Sequence, residues 1–514
     1  MNLIDQTARE DILKNEGNIL VSASAGSGKT TIMVKKMVIE LDKITDHRTI
    51  AAITFTVKAT NEIKKKASKL IKKQFFVMTN DSFIENEIIR PFITDAFGIA
   101  YAGDYTVEYE QEYKFNEFPK GLEQLRQKKV LGSYNNNKRN FNFEVALKII
   151  EKSQAAQEYI KSKYAVIFVD EYQDSDSDMH RLFMYLKNQL GLKLFIVGDP
   201  KQAIYLWRGA MSNIFEQVVS EDFNSFELIT NFRCHKEIEN YANVFHNNKY
   251  YEYLSHDVQN VIFKEYNSYS TPTEFRNFFG FAVEFNSLIK KKLIDLDKEV
   301  TIISNFNNDA RIIAELLNNE GYEFVFIPKT PIDEGIPNGH LLKGLALYSK
   351  NAVYTIYDFI EYTGIDERAQ TRFEVEKIIN ELRKVEELSY EQITDILTRL
   401  AEYLGISISK EETTKFYESV SDSRYEMAFQ LNEKRYKVMT VFSSKGLEFD
   451  QVISFSRYYQ IYDNEHIHNH YVCITRAKEK FVMLLDNANY LNYFKKVLEE
   501  TDIKDLRYVV NYVI

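Results

Sequence analysis

Short apolar runs punctuate the N-terminal half of the chain at residues 19–21, 51–55, 165–169 and 194–197. They read as short buried strands of a parallel sheet, and each is followed by a turn or a polar motif. Helical text separates them, which predicts an open α/β sheet with its ligand site at the strand ends. Between residues 81 and 162 the text becomes charged, aromatic-rich and helical, as expected of an insertion interrupting the first sheet. A second such stretch runs from about residue 331 to 433. The strand-like runs 300–303, 323–327 and 437–442 flank it, so a second α/β core is expected to resume after it. The division that follows is 1–83 and 162–225 for the first core, interrupted by 84–161, then 226–330 and 436–514 for the second, interrupted by 331–435. The sequence contains neither an internal repeat nor a low-complexity linker.

Directly after the first run, residues 23–30 read ASAGSGKT, and a helical pattern continues from Thr31. This spacing describes a phosphate loop. Ala23, Ser24, Ala25, Gly26, Ser27 and Gly28 are small, so that backbone N–H groups can face phosphates at a helix N-terminus. Lys29 is then expected to reach the β and γ oxygens and Thr30 to hold Mg²⁺, which makes ATP and Mg²⁺ the predicted cofactors. The general pattern begins with Gly where Ala23 stands, and by itself such a segment also reads as a plain Gly-rich turn. The run 165–169 ends in Asp170 and Glu171. Asp170 is the expected second Mg²⁺ holder, through water, and Glu171 the group that orients or deprotonates the attacking water. An acidic turn after a strand is the plain alternative, and the loop upstream weighs against it.

Composition limits the partners. The chain has 514 residues with 45% hydrophobic side chains, enough for sizeable cores and roughly three or four domains. With 65 Lys plus Arg against 75 Asp plus Glu the net charge is -10, so contact with nucleic acid has to be local. Two cysteines, Cys234 and Cys473, exclude a disulfide framework or a cysteine-rich metal site. The first residues do not have the form of a secretory leader, and no apolar segment approaches the roughly 20 residues that span a bilayer. A cytoplasmic protein without membrane contact is the expectation. His466, His468 and His470 alternate without a carboxylate or cysteine arrangement to complete a metal site.

Further blocks carry a resemblance. Glu171 to Asp174 (EYQD), Gly198 to Ala210 (GDPKQAIYLWRGA), Asn231 to Arg233 (NFR), Ser444 to Phe449 (SKGLEF) and Thr475 to Lys478 (TRAK) occur in the order found in UvrD-like superfamily one helicases. The chain resembles that family over both motor cores. The resemblance implies an α/β fold of two RecA-like parallel-sheet motor cores, each with a mainly helical insertion, and an ATP-driven motor moving 3′ to 5′ on DNA. It also implies roles: Gln202 as γ-phosphate sensor, Phe232 as the ring stacked on adenine, and Arg233 and Arg476 as arginines directed at the γ-phosphate. Glu448 resembles the ribose contact and Gln6 the adenine-reading glutamine, although a plain polar helix residue remains an equal reading of Gln6. Relatives usually have His where Phe442 stands and Arg near Asn305, so the coupling of DNA and ATP sites is open to difference.

For DNA, residues 54–58 (TFTVK) resemble the segment lining the DNA path, with Phe55 for stacking and Thr56 for a phosphate. Tyr205 and Trp207 are expected on one side of an extended segment, presenting faces to successive bases, with Arg208 beside them. The helix after Lys58 carries Lys64, Lys65, Lys66, Lys69, Lys72 and Lys73, a DNA-facing or simply solvated face, while Ile63, Ala67, Leu70 and Ile71 mark its packed side. Residues 87–98, 170–190 and 321–343 resemble the helicase component of the Gabija anti-phage defence system. That narrower resemblance implies a separate nuclease partner, GajA, with ATPase-like and TOPRIM domains. No nuclease signature is expected after Lys478. Two alternatives stay open: an ATPase that senses DNA ends and licenses the nuclease without processive unwinding, and a stand-alone DNA-repair helicase.

Overall fold

The four apolar runs are strands, Ile19–Ala23, Thr49–Thr54, Tyr164–Val169 and Lys193–Gly198, of one six-stranded sheet. Its order is Asn224–Leu228, Ile19–Ala23, Lys193–Gly198, Tyr164–Val169, Thr49–Thr54, Phe76–Thr79, and every pairing is parallel. Side chains alternate between two buried clusters, as strand geometry requires. Ile19, Val21, Ala23, Ile50 and Ala52 pack with Ile32, Met33 and Met37 of the helix Lys29–Lys43. Leu20, Ala51, Ile53, Ile167 and Val169 pack on the other face with Phe83, Ile88 and Phe183. Covered on both faces, these strands have no polar side to show in the sequence, which is why they read as continuous apolar runs.

The structure is a computed structural model that describes residues 3–513 apart from 104, 109, 110, 247, 255, 267–277, 279, 334, 335, 337, 366, 367, 431–433, 461–463, 502 and 504. Residues 334, 335 and 337, in one of the stretches that carry the Gabija resemblance, therefore lie outside the described residues. Two compact units are present: Met1–Ala23, Gly28–Leu228 and Thr330–Phe429 form one, and Ser24–Ser27, Ile229–Lys329 and Gln430–Ile514 the other. Within the first unit, the chain between Phe76–Thr79 and Tyr164–Val169 is mainly helical, with Arg90–Phe97, Phe118–Lys128, Phe141–Lys152 and Gln154–Lys163. Residues 330–429 build a helical body with its own core, in which Leu342, Leu345, Phe359, Ile393, Leu397 and Phe416 are buried together. Among the described residues no helix is long and apolar enough to cross a membrane.

The second unit holds a seven-stranded parallel sheet ordered Val325–Ile327, Tyr436–Thr440, Val300–Ser304, Phe449–Phe455, Ala477–Leu485, Val261–Glu265, Asn511–Val513. Two parallel-sheet α/β cores are thus present, as the fold expectation had it. Some details differ. The run 437–442 is a strand only to Thr440, whose hydroxyl accepts the Ser443 N–H at 3.3 Å and turns the chain into the short helix Val441–Ser444. Leu70 lies beyond the end of the helix Val57–Ser68 and is exposed, whereas Ile63, Ala67 and Ile71 are buried.

A larger correction concerns Tyr205 and Trp207. The segment is not extended: Leu206–Arg208 is a 3₁₀ turn closed by Arg208 N–H to Tyr205 O at 2.8 Å and Gly209 N–H to Leu206 O at 3.1 Å. Gly209 at φ 103° supplies the left-handed residue that ends it. Period-2 alternation therefore does not set the two rings on one side.

Candidate functional site

Because the first sheet is parallel, its strands end along one edge. Ser22 is opposite Gly198, and Ile196 is opposite Val169, so the segments after Ala23, Gly198 and Val169 are neighbours. Gly26 and Gly28 hold φ of 72° and 81°, a region nearly closed to residues with a Cβ, and Gly28 starts the helix Lys29–Lys43. That start directs unpaired backbone N–H groups outward, an anion-binding arrangement. Lys29 Nζ donates to Glu171 Oε1 at 3.0 Å. Burial by itself lowers the Lys29 pKa, but Glu171, Asp170 and Asp199 outweigh it and hold the ammonium above its ordinary range. It is a charged group in a nest of carboxylates.

Asp170 is buried and accepts the Glu171 N–H at 2.9 Å. Burial first, then the Glu171 charge, push its carboxyl well above the usual range, against the pull of Lys29. With the half-buried Thr30 that follows Lys29, Asp170 offers oxygen donors of the kind that Mg²⁺ takes. Glu171 stands at φ 53°, a left-handed conformation that costs a non-glycine residue on the order of 1–3 kcal/mol. Strain of this kind concentrates at functional positions.

Behind Glu171 is a chain of buried side chains. Gln173 Nε2 donates to Glu171 Oε2, Gln173 Oε1 accepts the Asp199 N–H at 3.0 Å, and Asp199 Oδ2 accepts Gln202 Nε2 at 2.7 Å. Gln173 and Asp199 received no role from the sequence, although both lie inside the EYQD and GDPKQ blocks. Their signal was the motif itself.

In the second unit, Arg233 Nε pairs with Glu448 Oε2 at 2.6 Å, bringing together two residues predicted for one nucleotide. Arg476 is 1% exposed; its Nε donates to Val472 O and its Nη1 to Leu447 O, each at 3.0 Å. The Phe232 ring is 60% exposed, and the Phe232 N–H donates to Gly26 O at 2.9 Å within that unit. Gln6 opens the helix Gln6–Lys14 and donates to Glu10 Oε1 at 2.9 Å. His470 lies in an aromatic cluster with Tyr241, Phe245 and Tyr490, and burial pushes its pKa down to about 3. It is a neutral core histidine.

Among the DNA candidates, Thr56 Oγ1 caps the helix Val57–Ser68 by accepting the Ala59 N–H at 3.2 Å, and Phe55 is partly buried against the core. Trp207 is 44% exposed, and the Arg208 guanidinium lies 5.6 Å from its ring and 5.9 Å from that of Tyr205. Asn137 Nδ2 donates to Trp207 O at 3.2 Å, and a Cβ on Gly209 would come within 2.7 Å of Lys138 Cα. The Asn-rich run 134–138, without any chemical signal of its own, therefore buttresses this turn. The lysine-rich helix is partly engaged within its own unit: Lys65 pairs with Glu361, Lys64 donates to Gly364 O at 3.3 Å, and Asn61 meets His340 at 2.9 Å.

The chain is similar to known proteins. The family described as the UvrD/REP helicase N-terminal domain matches residues 4–140 and 100–224. Gabija protein GajB of Bacillus cereus (strain VD045) is 43% identical over 508 residues, covering 97% of this chain and 99% of that protein. The ATP-dependent DNA helicase PcrA of Staphylococcus aureus (strain Mu50) is 28% identical over 292 residues, 47% of this chain and 40% of PcrA. PcrA of Staphylococcus epidermidis is 28% identical over 283 residues, 46% of this chain and 38% of that protein. With its match to GajB running nearly the full length of both proteins, the chain belongs to the UvrD-like family of ATP-dependent DNA helicases, in the group of Gabija protein GajB.

Proposed function

We propose that this helicase hydrolyses ATP to move 3′ to 5′ along single-stranded DNA, as the motor of a Gabija antiviral system acting in the cytoplasm beside a nuclease subunit of the GajA type. The observation that carries the reading is the ion pair of Lys29 with Glu171, which adjoins Asp170 in sequence, at neighbouring strand ends. The identity to GajB supports the narrower assignment to Gabija defence. The small residues Ala23 to Gly28 and Lys29 bind the phosphates, and Lys29 exchanges Glu171 for them. Released from Lys29, the Glu171 carboxylate orients the attacking water, while Gln202 reads the γ-phosphate. Thr30 and Asp170 would hold Mg²⁺, which would supply positive charge against the β and γ oxygens. Arg233 and Arg476 add positive charge for the transition state, and Phe232, Glu448 and Gln6 contact adenosine. Phe55, Thr56, Tyr205, Trp207 and Arg208 face the DNA.

The test measures ATP turnover and strand separation together, on duplexes with a 3′ or a 5′ single-stranded tail. Unwinding of the 3′-tailed duplex is expected. Turnover without strand separation replaces the motor with an ATPase that senses DNA ends and licenses its partner. Co-expression with the nuclease subunit should give one complex, and phage protection should disappear in Lys29→Ala. Failure to form that complex leaves a stand-alone DNA-repair helicase.

A further inference from the structure

We propose that Gln173 is a positioning residue that ties the phosphate-reading Gln202 to the water-orienting Glu171 through Asp199. The inference rests on the roles proposed above for Gln202 and Glu171. Gln173 lies in the one-turn segment Tyr172–Asp174 after Glu171 and is fully buried. Its amide has two different ends and two different partners. A backbone N–H, that of Asp199, can only be met by Oε1, and an ionised carboxylate, that of Glu171, only by Nε2. The orientation of this side chain is therefore fixed by chemistry, with no freedom to flip.

Each joint along the path is held. Asp199 is fully buried, and its Oδ1 accepts the Lys201 N–H at 3.1 Å while Oδ2 accepts Gln202 Nε2. Gly198 leaves the room for Gln173: a Cβ there would come within 2.3 Å of Gln173 Oε1 and 3.0 Å of Tyr172 N. Glu171 Oε1 meets Lys29, and its other oxygen meets Gln173. Once phosphate claims Lys29, the Gln173 contact stays on the carboxylate and helps keep it in place. At the far end Gln202 O accepts the Ile204 N–H at 2.9 Å, and the chain continues into the turn that bears Trp207. A displacement of Gln202 by the γ-phosphate reaches Glu171 through the Asp199 carboxylate, the Asp199 main-chain N–H and the Gln173 amide.

Gln173→Met keeps the volume and removes both polar ends. It should lower kcat about 10- to 100-fold, the worth of one hydrogen bond to a charged group, while ATP Kd stays within about threefold. Loss of packing also lowers activity, so the deciding measurement is a double-variant cycle. In a Glu171→Gln background, Gln173→Met should cost less than about twofold more, because the group it positions is already gone. Losses that multiply in the double variant assign Gln173 to packing and overturn the proposal. Gly198→Ala, which displaces the Gln173 amide and removes no polar group, should reproduce the fall in kcat and keeps the proposal testable should Gln173→Met fail to fold. Wild-type kcat in a folded Gln173→Met or Gly198→Ala, with Glu171→Gln inactive, overturns the positioning role alone. Wild-type turnover in Glu171→Gln overturns the assignment of Glu171 itself.

Discussion

The edge of the first sheet and the arginines of the second unit carry opposite charge, and the fold holds them in opposite ways. At the sheet edge, side chains hold side chains from Lys29 to Glu171, from Glu171 to Gln173 and from Asp199 to Gln202, and one main-chain group, the Asp199 N–H that Gln173 accepts, joins the two ends. In the second unit, Arg476 is gripped by the main-chain carbonyls of Val472 and Leu447. A side-chain network can exchange one partner at a time, as the phosphate-binding role proposed for Lys29 requires. A guanidinium fixed to carbonyls changes only if the backbone does. In the role proposed for Arg476, an orientation prepared in advance removes the need to reorganise at the moment of reaction. Arg233 is intermediate, since its partner Glu448 is a half-exposed side chain.

That contrast predicts a ranking. Arg476→Ala should have the largest effect, lowering kcat about 10³- to 10⁵-fold, the range for an arginine that meets phosphoryl charge. Arg476→Lys keeps the charge and loses the carbonyl grip, and wild-type turnover in it would remove the meaning given to that grip. Glu171→Gln should lower turnover about 10²- to 10⁴-fold with ATP affinity retained. Equilibrium binding of a fluorescent nucleotide checks the second half, and a parallel loss of affinity would recast Glu171 as a binding residue. Trp207→Ala should weaken single-stranded DNA binding about 5- to 150-fold, the worth of one base stack. Intrinsic fluorescence, which comes from this single tryptophan, should respond to DNA in the wild type. A folded variant that binds DNA as tightly as wild type removes the ring from the track. Glu448→Gln should change the ATP KM by no more than about fivefold, as suits an exposed ion pair. A larger change there would place Glu448 among the tightly held groups.

Much of the frame was legible because it depends on local pattern. The strands Ile19–Ala23 and Tyr164–Val169 are covered on both faces, so their text is apolar but for Ser22 and the Tyr164 hydroxyl, and the Gly-rich segment 24–30 and the Asp170–Glu171 pair follow them directly. The Trp207 turn was misread because an aromatic pair two apart looks the same in a strand and in a 3₁₀ turn, and Gly209 decides between them. Asn511–Val513, three residues long, becomes a strand only through pairing with Val261–Glu265, which no local pattern announces. The contacts of Gln173 with Asp199 and of Asn137 with Trp207 join residues 26 and 70 positions apart, and spacing carries no trace of them.

The order of strands in the first sheet has a consequence for how the protein is made. Of the strands in that sheet Ile19–Ala23 emerges from the ribosome before the others, yet both of its neighbours, Lys193–Gly198 and Asn224–Leu228, come from far downstream. At synthesis rates of about 5–20 residues per second, that strand waits roughly 10–40 s for its last partner. Throughout that interval an apolar segment with two unpaired edges is present on the nascent chain, open to wrong pairing. The helix Lys29–Lys43, which covers Ile19 and Val21, and the helices between residues 84 and 163 on the Leu20 side are complete before either neighbour appears, so they can shelter the strand while translation continues.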